Sequence, residues 1–397
     1  MDDIMVNLKT FHPEYRAGTN EPLMSLRCRA KGLTVNACAH ALFFCKLLQA
    51  TRKKEESCAG TPACTLASPP GSKGSQSLNI GIIGGGHIGK QLVRTLQHLG
   101  GISGKNIQIS TRRPETLSEF QMLGVDCFYN NRKLVSWADA VFLCCLPSHL
   151  PQICSEVQDA LKKCSIVYSL VTAIPLPRLK QLLSCNAILR PQYKFTESGL
   201  FQMWEASRTV VEALKDPAVI QATCPCSPKE EIVVNVKWLA AVFYAALNSY
   251  TRQHLPYMRA LLFLNQVCFL EDAAPASVED KSESPVLVCE NFINPAFASS
   301  LTNTDTFPWF DLTTVQLKDS PLSQLLATST SFQNSIASLY CKMIAALPTE
   351  ESMKITLKTS LSAVLLDPTK TLIHGMDRTC VSKVEEGSST DSESEET

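Results

Sequence analysis

Asn79-Ile-Gly-Ile-Ile-Gly84-Gly85-Gly86-His87-Ile88-Gly89 is the stretch on which the fold turns. A short apolar run leads into a glycine cluster, and Ile88, Leu92, Leu96 and Leu99 then recur at helical spacing. The order is strand, tight turn, amphipathic helix. In that setting a G-x-G-x-x-G pattern binds a dinucleotide: Gly84 permits the turn, Gly86 lets a pyrophosphate approach the backbone, and Gly89 lets the helix lie close on the sheet. The first N–H groups and the dipole of the helix then face the phosphates. The alternative is a structural turn in a nucleotide-free relative.

On the C-terminal side, short apolar runs alternate with helical spacings as far as about Cys226. They predict strands near Asn79–Ile83, Asn106–Ser110, Ala140–Cys144, Ile166–Ser169 and Ala187–Leu189, and helices over Ile88–Leu99, Pro114–Leu123, Leu150–Leu161 and Leu176–Leu183. Buried strands alternating with amphipathic helices imply an α/β, Rossmann-type, mainly parallel doubly wound sheet over residues 78–226. Beyond Cys226 the strand signal ends, and Ser227-Pro228-Lys229-Glu230 reads as a capping box that opens a helix running to about His254. A second helix is expected over Tyr257–Leu270, a loop over Asp272–Pro308, and a further helix from Ser320-Pro321 with apolar positions from Leu322 to Leu347. Residues 227–350 thus form an all-helical C-terminal domain.

The two ends differ from this body. Residues 1–77 carry ten Lys and Arg against six Asp and Glu and include a Ser-, Pro- and Gly-rich stretch from Cys58 to Ser77. Such composition buries no core, so a partly flexible extension is expected, with one helix over Val35–Leu48. In residues 351–397 the tail Lys383–Thr397 has one Lys against six acids among serines and is expected to be solvated and disordered.

The whole chain of 397 residues balances 37 basic against 37 acidic side chains, which excludes a strongly basic nucleic-acid binder. Its uninterrupted apolar runs fall short of the roughly 20 residues that span a bilayer, so no membrane partner is expected. The 17 cysteines include no C-x-x-C pair and no metal-ligand spacing, so no metal site is expected. Reduced thiols fit a cytoplasmic location. A mitochondrial presequence is a minor alternative, weakened by Asp2, Asp3 and Glu14.

Cofactor choice is written at the end of the second strand, Ile109-Ser110-Thr111-Arg112-Arg113-Pro114. A carboxylate there would hold a ribose 2′-hydroxyl; this chain instead offers two hydroxyls and two arginines, whose guanidinium forks suit a 2′-phosphate. NADP(H) is favoured over NAD(H).

Together these residues resemble the pyrroline-5-carboxylate reductases, which join an NADP-binding Rossmann domain to a helical dimerisation domain. The resemblance rests on Ile80–Gly89, on Ser110–Arg113, on Val141–His149 where the family has a strand ending in A-V-K-P-H, and on Ile166–Thr172 where it has one ending in A-A-G. It implies an oxidoreductase that transfers hydride from NADPH to an imine or carbonyl of a small metabolite, an imino or oxo acid, and a homodimer built through the C-terminal helices. It also implies cofactor contacts from Gly84, Gly85, Gly86, His87, Ile88 and Gly89. Ser110, Arg112 and Arg113 would face the 2′-phosphate and Asn131 the adenosine side. Cys144, Cys145, Leu146, Pro147, Ser169, Leu170, Val171 and Thr172 would border the cofactor at the strand ends.

The departures are specific. Leu146 stands where the family has the lysine of A-V-K-P, and the family's G-S-G-P-A-Y falls on Val233–Trp238. The glycine-rich S-P-G-G-T segment has no counterpart, so proline synthesis is doubtful and a non-catalytic NADP(H)-binding module is the alternative. Tyr193, Lys194 and Glu197 are candidates for the cleft mouth. His87 is open to a phosphate contact or to a role as exposed filler, His149 to a place near the nicotinamide or to a helix cap, and Lys237 and Tyr244 to proton donation or to core-flanking packing. No catalytic residue is assigned, and Cys144 and Cys145 read as small core residues.

Overall fold

The computed structural model describes residues 21–58, 77–162, 165–196, 204, 208–228, 230–269 and 285–345. In chain order the elements are α1 (Glu21–Cys58), β1 (Ile80–Ile83), α2 (His87–His98), β2 (Ile107–Ser110), α3 (Ser118–Met122), β3 (Asp126–Phe128), α4 (Asn131–Trp137), β4 (Ala140–Leu143), α5 (Leu150–Val157), β5 (Ile166–Ser169), α6 (Leu176–Leu183), β6 (Ile188–Leu189) and β7 (Tyr193–Phe195). There follow α7 (Val210–Ala213), α8 (Pro217–Ala222), β8 (Ile232–Val234), α9 (Val236–Arg252), α10 (Tyr257–Phe269), α11 (Pro295–Ala298), α12 (Leu312–Leu317), α13 (Pro321–Thr328) and α14 (Thr330–Ala345).

The first six strands form one parallel sheet in the order β3-β2-β1-β4-β5-β6, the doubly wound arrangement of a Rossmann domain. Register aligns Ile83 with Ser110 on one side and with Leu143 on the other, and Leu143 with Ser169. Alternation along the strands then sorts the core into two layers. Ile80, Ile82, Ile109, Phe142 and Tyr168 face α1, α2 and the helical half, while Ile83, Val141, Leu143 and Val167 face α4, α5 and α6. Helix α4 presses so close that a Cβ on Gly81 would come within 2.3 Å of Leu134 Cδ2.

The N-terminal segment departs from expectation. Its described part is a single helix of 38 residues that runs through the middle of the protein. Cys38, Ala39, Ala41, Leu42, Phe43, Phe44, Cys45 and Leu47 are wholly buried, and the helix touches α2, α7, β8, α9, α10 and α14. Phe44 packs against Phe142 and Tyr168 of the sheet, with ring centroids 6.4 and 5.4 Å apart. Burial of this many apolar side chains holds the Rossmann and helical halves together from between, at roughly 1.5–3 kcal/mol per large side chain. By length and composition Ser25–Arg52 would also span a bilayer, but 72% of the apolar window is buried inside the protein, as in a core helix. The linker residues 59–76, and the expected disordered tail, lie outside the described residues.

The helical half also differs in its opening. Ser227-Pro228 does not start a helix: Ile232–Val234 forms β8, antiparallel to β7, and α9 begins at Val236. The true N-cap is Asn235, whose Oδ1 accepts the Lys237 N–H at 2.8 Å. Glu230, read as the N3 carboxylate, instead accepts the Val234 N–H at 2.7 Å. The expected loop carries the short helix α11, and the helix from Pro321 is broken at Ser329, where the backbone turns extended, into α13 and α14. Ser320 and Ser323 cap α13 reciprocally.

Candidate functional site

Because the strands are in register, the residues that follow them share one edge. Gly84 follows β1, Thr111 β2, Cys144 β4 and Leu170 β5, and backbone bonds carry the ladder into this edge: Gly84 N to Ser110 O at 2.9 Å, Cys144 N to Ile83 O at 2.8 Å, Leu170 N to Leu143 O at 3.1 Å. Ligands of open α/β sheets bind there, at the carboxyl ends of the strands.

The glycine loop has the geometry its sequence implies. Gly84 has φ of +112°, and a Cβ there would lie 2.6 Å from the Cys144 carbonyl oxygen; both facts restrict the position to glycine. A Cβ on Gly89 would lie 2.1 Å from Gly84 O, so this glycine is what seats α2 against the turn. Gly86 is different: it is exposed at the N-cap of α2, and nothing lies within 4 Å of where its Cβ would be. No side chain caps this helix end and no acid sits in its first turn, so its N–H groups and partial positive charge are left for an outside anion. This open cradle fits a pyrophosphate.

The remaining expected contacts divide. Arg112 and Arg113 are exposed at the tip of β2, and among the described residues neither has an ion-pair partner. Ser110 is 1% exposed, and its hydroxyl accepts the Asn130 N–H at 3.1 Å, so its side chain sits beneath the edge. Asn131 is likewise buried and donates to Glu156 at 2.9 Å, bracing α4 against α5. Leu146 and Pro147 are exposed beside the loop, as is His87. Ser169 is buried with its Oγ accepting the Val171 N–H at 3.3 Å, and Thr172 is exposed. His149 occupies the N-cap position of α5 but its side chain makes no capping bond. Burial pushes the Cys145 thiol up to about 11 and raises Cys144 well above its ordinary value, which leaves both as neutral thiols.

The candidates for the cleft mouth and for proton donation lie elsewhere. Tyr193 turns inward, its hydroxyl 3.0 Å from His40 Nδ1 and its ring stacked on the imidazole. Lys194 is exposed on β7, and Glu197 is outside the described residues. Lys237 pairs with Asp319 at 2.8 Å, while Tyr244 is buried in the helical half and donates to Phe292 O at 3.0 Å. Sequence reading passed over Arg190, whose guanidinium donates to the carbonyl of Thr172 and so meets the loop after β5. The arginine directly follows the apolar run that marks β6, and that placement was the only signal it gave.

A family model described as NADP oxidoreductase coenzyme F420-dependent matches residues 79–172, the first five strands and their helices. The mouse NADP-dependent oxidoreductase domain-containing protein 1 is 40% identical over 329 residues, 83% of this chain and 89% of that protein. Pyrroline-5-carboxylate reductase 3 of Danio rerio is 27% identical over 106 residues, 27% of this chain and 37% of that enzyme. Among solved structures, a pyrroline-5-carboxylate reductase from Coxiella burnetii aligns over 48% of this chain and 76% of its own, at 20% identity and a TM-score of 0.28. A Plasmodium falciparum pyrroline carboxylate reductase with NADP bound aligns over 68% and 98%, at 12% identity and a TM-score of 0.26.

Proposed function

The chain belongs to the family of the NADP-dependent oxidoreductase domain-containing protein 1, and from that premise we propose that it is an NADPH-dependent oxidoreductase reducing an imine or carbonyl of a small imino or oxo acid. NADP(H) is the cofactor, and when bound it supplies the hydride. The chain's own part is to hold and orient: the α2 N-terminus and Gly86 take the pyrophosphate, Arg112 and Arg113 the 2′-phosphate, and the edge from Cys144 to Pro147 and from Ser169 to Thr172 bounds the nicotinamide side. One observation carries this assignment: among the described residues the N-terminus of α2 is open and uncapped beside two arginines without an ion-pair partner. A homodimer through the C-terminal helices and a cytoplasmic home with reduced thiols belong to the same proposal.

A second possibility is a non-catalytic NADP(H)-binding module. It is favoured by Val234 and Trp238, which are 5% and 1% exposed core residues at positions where the reductases have their small, polar, substrate-facing segment. Titration of the purified protein with NADPH and, separately, NADH tests the cofactor site. A panel of imines and 2-oxo acids then separates the two readings: turnover by the NADPH-loaded protein supports the enzyme, and its absence across the panel supports the module.

A further inference from the structure

The end of α8 and the last turns of α14 bring two cysteines together. Cys224 opens the turn Cys224-Pro225-Cys226-Ser227, which closes with the Ser227 N–H on Cys224 O at 3.2 Å. Pro225 restricts one φ and Cys226 takes a φ of +65°, where glycine is the usual residue, so the turn is stiff. Its first member faces α14: Cys224 Sγ lies 3.6 Å from the carbonyl oxygen of Ala337. In an α-helix that carbonyl sits one turn before residue 341, whose Cα–Cβ bond tilts back toward it. The thiols of Cys224 and Cys341 are therefore neighbours, and they interact directly. One residue earlier on each side, Tyr340 donates to the Thr223 hydroxyl at 2.9 Å, which fixes the two elements against each other across 117 positions of sequence.

The pair is asymmetric. Cys224 is 1% exposed, whereas Cys341 is partly open to solvent. The interaction with Cys224 holds the Cys341 thiol down to about 7, so a large share of it is thiolate near neutral pH, and the same interaction together with burial pushes Cys224 up. Cys127, Cys145, Cys185 and Cys226 are also partly exposed, but burial holds each of them above its ordinary value. An accessible thiolate beside a shielded neutral thiol is an arrangement in which one sulfur meets an oxidant and the other resolves the product.

We propose that Cys341 is a site of oxidation by hydroperoxides and that Cys224 resolves it, so that a reversible Cys224–Cys341 disulfide ties the end of α8 to α14. The Cys341 thiolate attacks one oxygen of hydrogen peroxide; the O–O bond breaks, Cys341 becomes a sulfenic acid, and the other oxygen leaves as water with a proton from solvent. The Cys224 sulfur then attacks the Cys341 sulfur. The S–O bond breaks, the S–S bond forms, and the Cys224 proton leaves with the hydroxyl as a second water. Two thiols thus give up two electrons and two protons, and the peroxide is reduced to two waters. A dithiol reverses the reaction by exchange. The site lies in the helical half and stands independently of the cofactor assignment.

Treatment of the reduced full-length protein with a small excess of hydrogen peroxide at pH 7.4 tests it, read by non-reducing peptide mapping with and without dimedone. The parent is expected to give a Cys224–Cys341 cross-linked peptide that dithiothreitol removes, and to lose the free thiol of Cys341 about tenfold or more faster than that of Cys226. Cys224→Ser is expected to give no cross-link and to leave a sulfenic acid on Cys341 that dimedone traps. Cys341→Ser is expected to leave Cys224 reduced. Cys226→Ser should cross-link as the parent does, and the parent's own map needs no variant, so a folding defect in either serine variant does not protect the proposal. A disulfide from Cys341 to any other cysteine, or Cys341 oxidised beyond the sulfenic acid in the parent while Cys224 stays free, overturns the resolving role. Oxidation of Cys224 at the parent's rate in Cys341→Ser, or thiol loss elsewhere while Cys224 and Cys341 both stay reduced, overturns Cys341 as the point of attack.

Discussion

The hydroxyl of Tyr193 lies 3.0 Å from Nδ1 of His40, joining β7 to the long N-terminal helix across 153 positions of sequence. The other imidazole nitrogen, Nε2, is 2.9 Å from Thr223 O, and Tyr340 donates to the Thr223 hydroxyl at 2.9 Å. One buried ring thus ties α1 to the small sheet, to the end of α8 and to α14.

Burial holds the His40 imidazole down to about 4, below its ordinary 6.5, so it is neutral in the folded protein. The unfolded chain takes up a proton first as pH falls, and stability is therefore expected to drop between pH 6.5 and 4. His40→Gln should flatten that limb of the profile. It should also cost about 1–3 kcal/mol at pH 7 through the partners it leaves unsatisfied. Chemical denaturation at a series of pH values measures both.

Phe44→Ala is expected to destabilise the protein by about 3–5 kcal/mol, because its ring fills the space between α1 and the sheet. Leu23→Asp, on the exposed first turns of the same helix, should change stability by about 0.5 kcal/mol or less. Equal effects in thermal melts would mean that α1 is not a core element.

Gly86 and Gly89 should separate binding from folding. Gly86→Asp meets open space and is expected to keep the parent's melting temperature while abolishing measurable NADPH binding, since a carboxylate would face the pyrophosphate. Gly89→Val drives a side chain into Gly84 O and is expected to cost about 1–3 kcal/mol in stability as well.

Replacement of Arg112 and Arg113 by Glu is expected to weaken NADPH by about tenfold or more and NADH little, because the repulsion acts on the 2′-phosphate alone. Parallel fluorescence titrations read the ratio. Equal loss for both cofactors removes the arginine clamp.

Cys341 should be the first of the described cysteines to react with iodoacetamide at pH 7.4. It shares a site with Cys224, and the interaction between the two thiols holds Cys341 below the ordinary value while Cys224 is pushed up. Cys45 and Cys144, wholly or almost wholly buried, should stay unmodified in the folded protein. Peptide mapping after timed alkylation orders the sites.

How much of this was legible depended on the distance over which each signal acts. The β1 turn and α2 were readable because strand, glycines and amphipathic helix are contiguous, and the glycine spacing encodes local clashes such as Gly89 against Gly84. Helix α1 was under-read because a helix enclosed on all sides lacks the polar stripe that betrays its period. Strand β8 was hidden for the opposite reason: Ile232–Val234 is too short to show alternation, and its partner Tyr193–Phe195 lies some forty residues away. Ser227-Pro228-Lys229-Glu230 carried an authentic capping pattern, yet Glu230 spends its acceptor on Val234 instead. At the site, the exposed arginines and Gly86 could be placed from sequence. The inward turn of Ser110 and Asn131 could not, because it follows from β3 and α5 closing over them.

Lys46 of α1 donates to the carbonyl of Met343, 297 positions later. The ribosome therefore makes the central helix well before α14, the last of its described packing partners. At roughly 5–20 residues per second, about 15–60 seconds pass before α14 emerges. Throughout that interval the nascent chain displays Val35–Leu48 without its final cover, a segment of the kind that holdase chaperones grip. Enclosure of α1 is in that sense delayed: of the described helices, the one synthesised first is among the last to be covered.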